Sequence, residues 1–321
     1  MRVGVIGAGG IGGYYGGLLA RVGHQVSVLA RGANLEAIRA NGLIVKTLEE
    51  SWVSKVRASY DANDLAGEFG PGDFAMIATK AYSLTEIAPA AKVFADRGAT
   101  IVPLNNGVEA ADILISLGIP RERLLGGVTY ISAVHSAPGV AERRTPIQRV
   151  IVGELGGGLT SRATDIAGAF VDAGVDGEAT NNISVALWQK FVFLASIAAA
   201  CGLSRLNIGA VREKTLGAQL LVRAVNEAVS VGRARGVTMR DDEEAQVMAT
   251  INALPREVEP SLLLDLRSGS RTEIDFLSGT ISRFGDAAGI DTPVHDTAAL
   301  ALVQVPSADA PGIHPERMRN D

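Results

Sequence analysis

The chain of 321 residues is long enough for two domains, and a content of 47% hydrophobic and 20% charged residues is typical of a globular protein and excludes a disordered one. A net charge of −5 without a basic cluster argues against a nucleic-acid partner. The single cysteine, Cys201, excludes an internal disulfide framework, and the four histidines lack ligand spacing, so we expect no metal. This composition fits a reducing cytoplasm.

The first thirty residues follow the order strand, glycine turn, helix, strand. Residues 3–6 and 25–29 predict short buried strands, and residues 12–21 predict the helix between them. The turn holds glycines in the spacing G-x-G-x-x-G: Gly7, Gly9 and Gly12. In a dinucleotide fingerprint these glycines permit a tight turn, a close approach to a pyrophosphate, and close packing of helix on strand. We therefore predict a nucleotide site here, in preference to a merely structural turn.

The same stretch could also be compared with a signal peptide, because residues 3–20 carry no charge. Eight glycines between positions 4 and 17 argue against this, since each costs about 1 kcal/mol in a helix relative to alanine. The uncharged apolar run at residues 191–204 is too short to span a bilayer, so no membrane partner is expected.

The end of the second strand indicates which cofactor is bound. NAD-binding units place an acid there for the ribose hydroxyls, whereas this strand is followed by Ala30 and Arg31. An arginine can pair with the 2′-phosphate of NADP. A solvated arginine is the alternative, but the missing acid favours NADPH.

Strands and helices continue to alternate as far as about residue 182. Further strands are predicted at 43–45, 52–56, 74–78, 99–104, 124–128 and 149–152, and helices at 34–42 and 85–94. This alternation predicts a doubly wound parallel sheet with helices on both faces, of the Rossmann type. Ligands bind beyond the carboxyl ends of such strands, where Gly7, Arg31, Lys80 and Asn106 would lie together. Taken singly, Lys80 and Asn106 would be ordinary loop residues.

The rest of the chain is predicted to be helical. Helical periodicity covers residues 183–201, 211–235, 241–253, 273–288 and 295–303. We predict an NADP-binding domain over 1–182, an all-helical substrate and catalytic domain over 183–305, and a loose tail over 306–321. The oligomeric state is left open, a homodimer included.

Two groups of residues in the helical region could take part in catalysis or binding. Lys190 lies in an apolar helix, where it would be either a surface lysine with a snorkelling stem or a poorly solvated proton donor for a carbonyl. Ser261 follows a proline, and Glu273 lies in the block Arg-Thr-Glu-Ile-Asp at 271–275. These could be an ordinary cap and first-turn acid, and spacing alone does not decide between the readings.

Together these motifs resemble the ketopantoate reductase (2-dehydropantoate 2-reductase) family over about residues 1–303. The resemblance rests on the glycine loop, Arg31, Thr79-Lys80, Asn106-Gly107, Leu-Trp-Gln-Lys at 187–190, Pro260-Ser261 and the 271–275 block. It implies a reductase of the pantothenate pathway that uses NADPH to convert a small 2-oxo acid to a 2-hydroxy acid.

The resemblance also implies individual roles. Lys190 would be the general acid, Glu273 would contact the cofactor and organise the site, and Ser261 would bind the substrate carboxylate. Asn106 would line the cleft beside cofactor and substrate. The remaining cofactor-binding residues would be Gly7, Ala8, Gly9, Gly10, Ile11, Gly12, Arg31, Lys80 and Ala133.

One departure concerns the substrate. The family usually has asparagines one and two helical turns after the lysine, where this chain has Leu194 and Ala198. We therefore expect a 2-oxo acid with a more apolar tail than ketopantoate, unless another residue such as Asn207 replaces the lost contact. Two other functions stay open: another hydroxyacid or opine-type dehydrogenase, and a non-catalytic NADP-binding sensor.

Overall fold

The computed structural model describes residues 1–303, so the predicted tail at 306–321 lies outside the described residues. The strands are β1 Arg2–Ile6, β2 Gln25–Leu29, β3 Leu43–Lys46, β4 Ser51–Ser54, β5 Arg57–Ser59, β6 Phe74–Ile77, β7 Thr100–Pro103, β8 Leu125–Ala137, β9 Val140–Glu154 and β10 Asp176–Thr180. The helices are α1 Gly10–Arg21, α2 Gly32–Asn41, α3 Ala62–Ala66, α4 Leu84–Asp96, α5 Ala110–Ser116, α6 Ser161–Asp172, α7 Ile183–Ser204, α8 Ile208–Arg212, α9 Thr215–Ala234, α10 Glu243–Ala253, α11 Ser261–Arg267, α12 Ser278–Ala288 and α13 Pro293–Ala301. Short 3-10 helices cover Ala81–Ser83, Arg121–Arg123 and Ile274–Phe276.

The first sheet has the predicted architecture. Its five strands run parallel in the order β5-β2-β1-β6-β7. The central strands are apolar and buried, as in β6, where all four residues are buried. The carboxyl ends of these strands therefore share one edge, and the predicted Rossmann-type fold is confirmed.

A second sheet was not predicted from the sequence. Its order is β10-β9-β3-β4, with β8 paired antiparallel to β9. The predicted strands at 124–128 and 149–152 are only the part of this long β8–β9 hairpin that lies farthest from its turn. Only the first five residues of β8 are buried, and the later ones do not alternate regularly between apolar and polar, so the sequence pattern did not reveal the full length of the strand.

Helix α1 lies between the two sheets, and this position explains its glycine content. A Cβ on Gly16 would lie 2.9 Å from Val5 Cγ2 in β1, and one on Gly17 would lie 2.1 Å from Val45 Cγ2 in β3. Both distances are far below ordinary contact, so the two sheets can approach the helix only where it has no side chains. These glycines serve packing rather than ligand binding.

The described chain forms two compact units. The first comprises residues 1–194 and 229–243, and the second comprises residues 195–228 and those from 244 onward. The second unit has no strand among its described residues, in agreement with the predicted helical region. The domain boundary placed near residue 183 stays a prediction.

Several helix limits in this region differ from those predicted. The predicted helix 211–235 is two helices, α8 and α9, and the helix predicted from residue 273 begins only at Ser278. Helix α11 was not predicted, because its seven residues are too few for a clear period. Helix α7 has 22 residues with a mean hydropathy of 1.6, enough to span a membrane by length and composition alone, but core helices share these properties.

His295 shows how the second unit satisfies a buried polar group. Its ring is fully buried, with Nδ1 3.1 Å from Ser278 Oγ and Nε2 3.0 Å from the Ala224 carbonyl oxygen. Burial lowers the pKa of His295 to about 4, so the ring is neutral at physiological pH. This histidine has a structural role.

Candidate active site

The glycine loop contains glycines that the chain itself requires. Gly7 has φ +100°, and a Cβ there would lie 2.6 Å from Thr79 Cγ2. A Cβ on Gly12 would lie 2.1 Å from the carbonyl oxygen of Gly7. The tight turn and the packing of helix on strand therefore account for these two positions.

Gly9 is different, because nothing in the described chain requires its lack of a side chain. A Cβ at this position would meet no atom within 4 Å, and its φ of −79° is accessible to any residue. Open space therefore lies against the loop where α1 begins. A glycine here is expected if a ligand approaches the backbone closely.

The start of α1 has the properties of an anion site. Gly9 is the N-cap and provides no side-chain hydrogen bond to the helix, and the first turn contains no acidic residue. The first N–H groups and the positive end of the helix dipole can therefore act on a bound anion. Together with the open face of Gly9, this arrangement fits the pyrophosphate of a dinucleotide.

Two alanine substitutions separate ligand binding from packing in this loop. Gly9→Ala should leave the melting temperature close to that of the parent but weaken binding of the predicted cofactor NADPH about tenfold or more, since the new methyl group would occupy space that a bound pyrophosphate needs. Gly12→Ala should lower both the melting temperature and the affinity for NADPH, because its Cβ meets the Gly7 carbonyl. Thermal unfolding and fluorescence titration with NADPH measure the two effects. Unchanged NADPH affinity in a folded Gly9→Ala protein would contradict the proposed site.

Arg31 lies two residues after the end of β2 and is the N-cap of α2. Its guanidinium forms an ion pair with Glu86 in the first turn of α4. Both side chains are exposed, Arg31 to 81% and Glu86 to 58%, so the arginine is accessible from solvent. The position agrees with a role at the ribose end of a dinucleotide.

The ends of β6 and β7 are joined by an asparagine. Asn105, which is 6% exposed, donates from Nδ2 to the Thr79 carbonyl oxygen at 2.6 Å. Lys80 follows Thr79 and is the N-cap of the 3-10 helix Ala81–Ser83. Asn106 follows Asn105, so this hydrogen bond fixes the strand ends that carry both predicted site residues.

Lys190 extends from α7 to the same edge. Its Nζ donates to Asn106 Oδ1 at 2.9 Å and lies 5.9 Å from the ring centroid of Tyr130 in β8. Tyr130 packs against a small buried cluster formed by Val128, Ile151 and Ile183. Burial raises the pKa of Tyr130, so its ring is neutral and offers a π face to the lysine. These contacts hold the amino group in a defined position.

A small cavity adjoins Lys190, and its walls combine polar and apolar side chains. It is lined by Asn105, Gly107, Gly127, Val128, Leu187, Lys190, Phe191 and Leu194. Leu194, one helical turn after Lys190, therefore lies on the same side of α7 as the lysine. Within residues 1–303, no group of three histidine, cysteine or acidic residues is arranged to hold a metal ion.

The structure places the remaining predicted residues as follows. Ala133 lies against the start of α1, where a Cβ on Gly10 would be 2.4 Å from the Ala133 carbonyl oxygen. Ser261 is exposed at the first turn of α11, and Glu273 is 4% exposed, directly before a 3-10 helix. These last two belong to the second unit, and their participation in the site stays a prediction.

Sequence reasoning missed three residues of this edge. Only Asn106 was predicted as a site residue and Asn105 was not, although two successive asparagines after a buried strand were a visible signal. Tyr130 lies in a stretch of β8 in which the sequence predicted only Ala133 as a site residue. Asn34 donates from Nδ2 to the Ala8 carbonyl oxygen at 2.9 Å and accepts from Gly139 N at 2.7 Å, a contact that no local pattern could reveal.

Known proteins are similar to this chain in both sequence and fold. A family model described as "Ketopantoate reductase PanE/ApbA" matches residues 3–157, and "Ketopantoate reductase PanE/ApbA C terminal" matches residues 182–305. The 2-dehydropantoate 2-reductase of Mesorhizobium japonicum is 31% identical over 330 aligned positions, covering 95% of this chain and 97% of the relative. The structure of a PanE/ApbA family ketopantoate reductase from Ralstonia eutropha has a TM-score of 0.84 at 31% identity, covering 94% of this chain and 97% of that one.

A D-mandelate dehydrogenase structure has a TM-score of 0.83 at 21% identity, covering 94% of this chain and 97% of that one, which shows a common fold alone. The family models together match most of the chain, and the predicted resemblance is confirmed. The chain belongs to the ketopantoate reductase (2-dehydropantoate 2-reductase) family of oxidoreductases.

Proposed function

We propose that this protein is a cytoplasmic reductase that uses NADPH to convert a 2-oxo acid, 2-dehydropantoate or a related compound, to the corresponding 2-hydroxy acid. The observation that supports this most directly is the 2.9 Å hydrogen bond between Lys190 and Asn106, which holds a primary amine at the carboxyl edge of the Rossmann-type sheet. Family membership supports the reaction class, and the open face of Gly9 supports a dinucleotide.

NADPH, when bound, supplies the hydride that adds to the keto carbon of the substrate. Lys190 donates a proton to the carbonyl oxygen as that oxygen gains electrons, and the product is an alcohol. Its positive charge also stabilises the developing alkoxide. Asn106 and Tyr130 orient the amino group, because each contacts it from a different element.

The residues predicted from the sequence are proposed to share the remaining tasks. The loop Gly7–Gly12 binds the pyrophosphate and Arg31 the 2′-phosphate. Lys80 lines the cleft beside the cofactor, and Ala133 contacts its nicotinamide half. Ser261 binds the substrate carboxylate, and Glu273 contacts the cofactor. The general test is NADPH oxidation with a panel of 2-oxo acids. Turnover on the panel identifies a reductase of this type, and NADPH binding without any turnover favours the sensor.

The side chains beside Lys190 in the cavity wall indicate what kind of substrate the site would accept. Leu194 occupies the position where the family usually has an amide, and it lines the same cavity as Lys190. Asn207, the suggested replacement, accepts from Ala210 N at 2.9 Å as the N-cap of α8, so its side chain already has a structural role. Because the Leu194 side chain cannot form a hydrogen bond with a hydroxyl, we propose a 2-oxo acid with an apolar branched tail.

Substitution of Leu194 tests the substrate proposal. Leu194→Asn should raise kcat/KM for ketopantoate about two- to tenfold, which is the usual contribution of one new hydrogen bond, and lower it for a branched 2-oxo acid without a hydroxyl. Leu194→Met, which keeps the volume without adding a hydrogen bond, is the matched control and should retain the parental order of substrates.

A parent enzyme that strongly prefers ketopantoate, with no gain in Leu194→Asn, would contradict the proposal. Asn105 would then be the next residue to substitute. Its Oδ1 is buried without a partner among the described residues, and Asn105 lines the same cavity.

A further inference from the structure

The sequence has no acidic residue at the end of β2, but the fold brings one to that position from another element. No acidic residue lies in the first turn of α2, which begins directly after Arg31. Glu86, 55 positions further along the chain, forms an ion pair with Arg31 from the first turn of α4. Because β2 and β6 flank β1 on opposite sides, the segments that follow them open at the same edge as the glycine loop.

We propose that Glu86 is a specificity-determining residue for the adenosine end of the cofactor, and that it opposes the 2′-phosphate of NADPH. The preference for NADPH over NADH is then weaker than Arg31 alone would give. The inference rests on the cofactor site of the proposed function, but it does not depend on which 2-oxo acid is reduced.

The Arg31–Glu86 ion pair is weak enough for a bound phosphate to replace the carboxylate as the partner of the arginine. With exposures of 81% and 58%, both charges remain hydrated, and an exposed pair of this kind contributes little to stability. A 2′-phosphate carries more charge than a carboxylate, so the Arg31 guanidinium would exchange one partner for the other. The Glu86 carboxylate would then remain beside the phosphate.

The remaining repulsion sets the size of the effect. Two neighbouring like charges in a largely aqueous environment repel each other modestly, and physiological salt screens part of that repulsion. We therefore expect Glu86 to weaken binding of a 2′-phosphorylated nucleotide about three- to tenfold. A nucleotide without the 2′-phosphate should be affected less than about twofold.

The test compares Glu86→Gln with the parent in the full-length protein. Calorimetry with adenosine 2′,5′-bisphosphate and with 5′-AMP isolates the adenosine end, and fluorescence titration with NADPH and NADH extends the comparison to whole cofactors. Asp96→Asn is the matched control, since it removes the same charge from the other end of α4, where Asp96 is paired with Lys92. Thermal unfolding verifies that both variants are folded.

The expected result is tighter binding of the bisphosphate and of NADPH by Glu86→Gln, with 5′-AMP and NADH unchanged. The gain should shrink as salt is raised from about 0.05 M to 0.5 M. Asp96→Asn should behave like the parent. An unchanged ratio between the two mononucleotides overturns the inference, as does weaker binding of 5′-AMP, which would mean that Glu86 binds the ribose hydroxyls instead.

Failure of the proposed function gives a different result. If Glu86→Gln shifts the nucleotide ratio as expected but the protein reduces no 2-oxo acid, the inference stands and the reductase proposal fails. If the parent binds neither the bisphosphate nor NADPH, both are overturned.

Discussion

Lys190→Ala is expected to lower kcat by about 10²–10⁴-fold while NADPH still binds with near-parental affinity. In the proposed mechanism, Lys190 contributes a proton and a positive charge as the carbonyl oxygen gains electrons, and neither is needed to bind the cofactor. Its fixed position, 2.9 Å from Asn106 Oδ1, is the structural reason for a large effect. Steady-state kinetics with saturating 2-oxo acid and a fluorescence titration with NADPH measure the two quantities.

Two further variants show whether the loss is chemical. Lys190→Met keeps most of the packing of the side chain and should be as inactive as Lys190→Ala. Added methylamine should restore part of the activity of Lys190→Ala, because a free amine can supply the missing proton. If Lys190→Ala retains more than about a tenth of the parental kcat, Lys190 is not the general acid.

The elements of the first sheet could be predicted because each depends on local information. β2 begins and ends at the predicted residues, and β1 and β6 are short apolar runs bounded by turn residues. The glycine fingerprint could be identified for the same reason. However, the sequence could not show that α1 lies between two sheets, since the partner of Gly17 is Val45 in a strand of the second sheet.

What the sequence could not predict depends on contacts between distant residues. The β8–β9 hairpin is long, but the half next to its turn has no regular alternation of apolar and polar residues. At the candidate site, Lys190 and Asn106 were each predicted, but their hydrogen bond joins positions 84 residues apart. Tyr130 and Glu86 could not be identified from the sequence either, because each contacts a site residue that lies on a different element.

Arg31→Ala is expected to weaken NADPH binding about ten- to a hundredfold and to leave NADH binding within about threefold. A hydrogen bond between charged partners contributes about 1.5–3 kcal/mol, and the 2′-phosphate is the only group that distinguishes the two cofactors. Arg31 is suitably placed for this contact, since it follows β2 and is 81% exposed.

The ion pair with Glu86 makes the outcome of this substitution more specific. Removing Arg31 leaves the Glu86 carboxylate without its cation at the same edge, so repulsion of the 2′-phosphate adds to the lost attraction. Arg31→Lys, which retains the charge but not the two-pronged geometry, should lie between parent and Arg31→Ala. Kd and kcat/KM for both cofactors in these three proteins give the measurement. Equal use of NADH and NADPH by the parent, with no change on removing Arg31, would show that the 2′-phosphate is bound elsewhere or not at all.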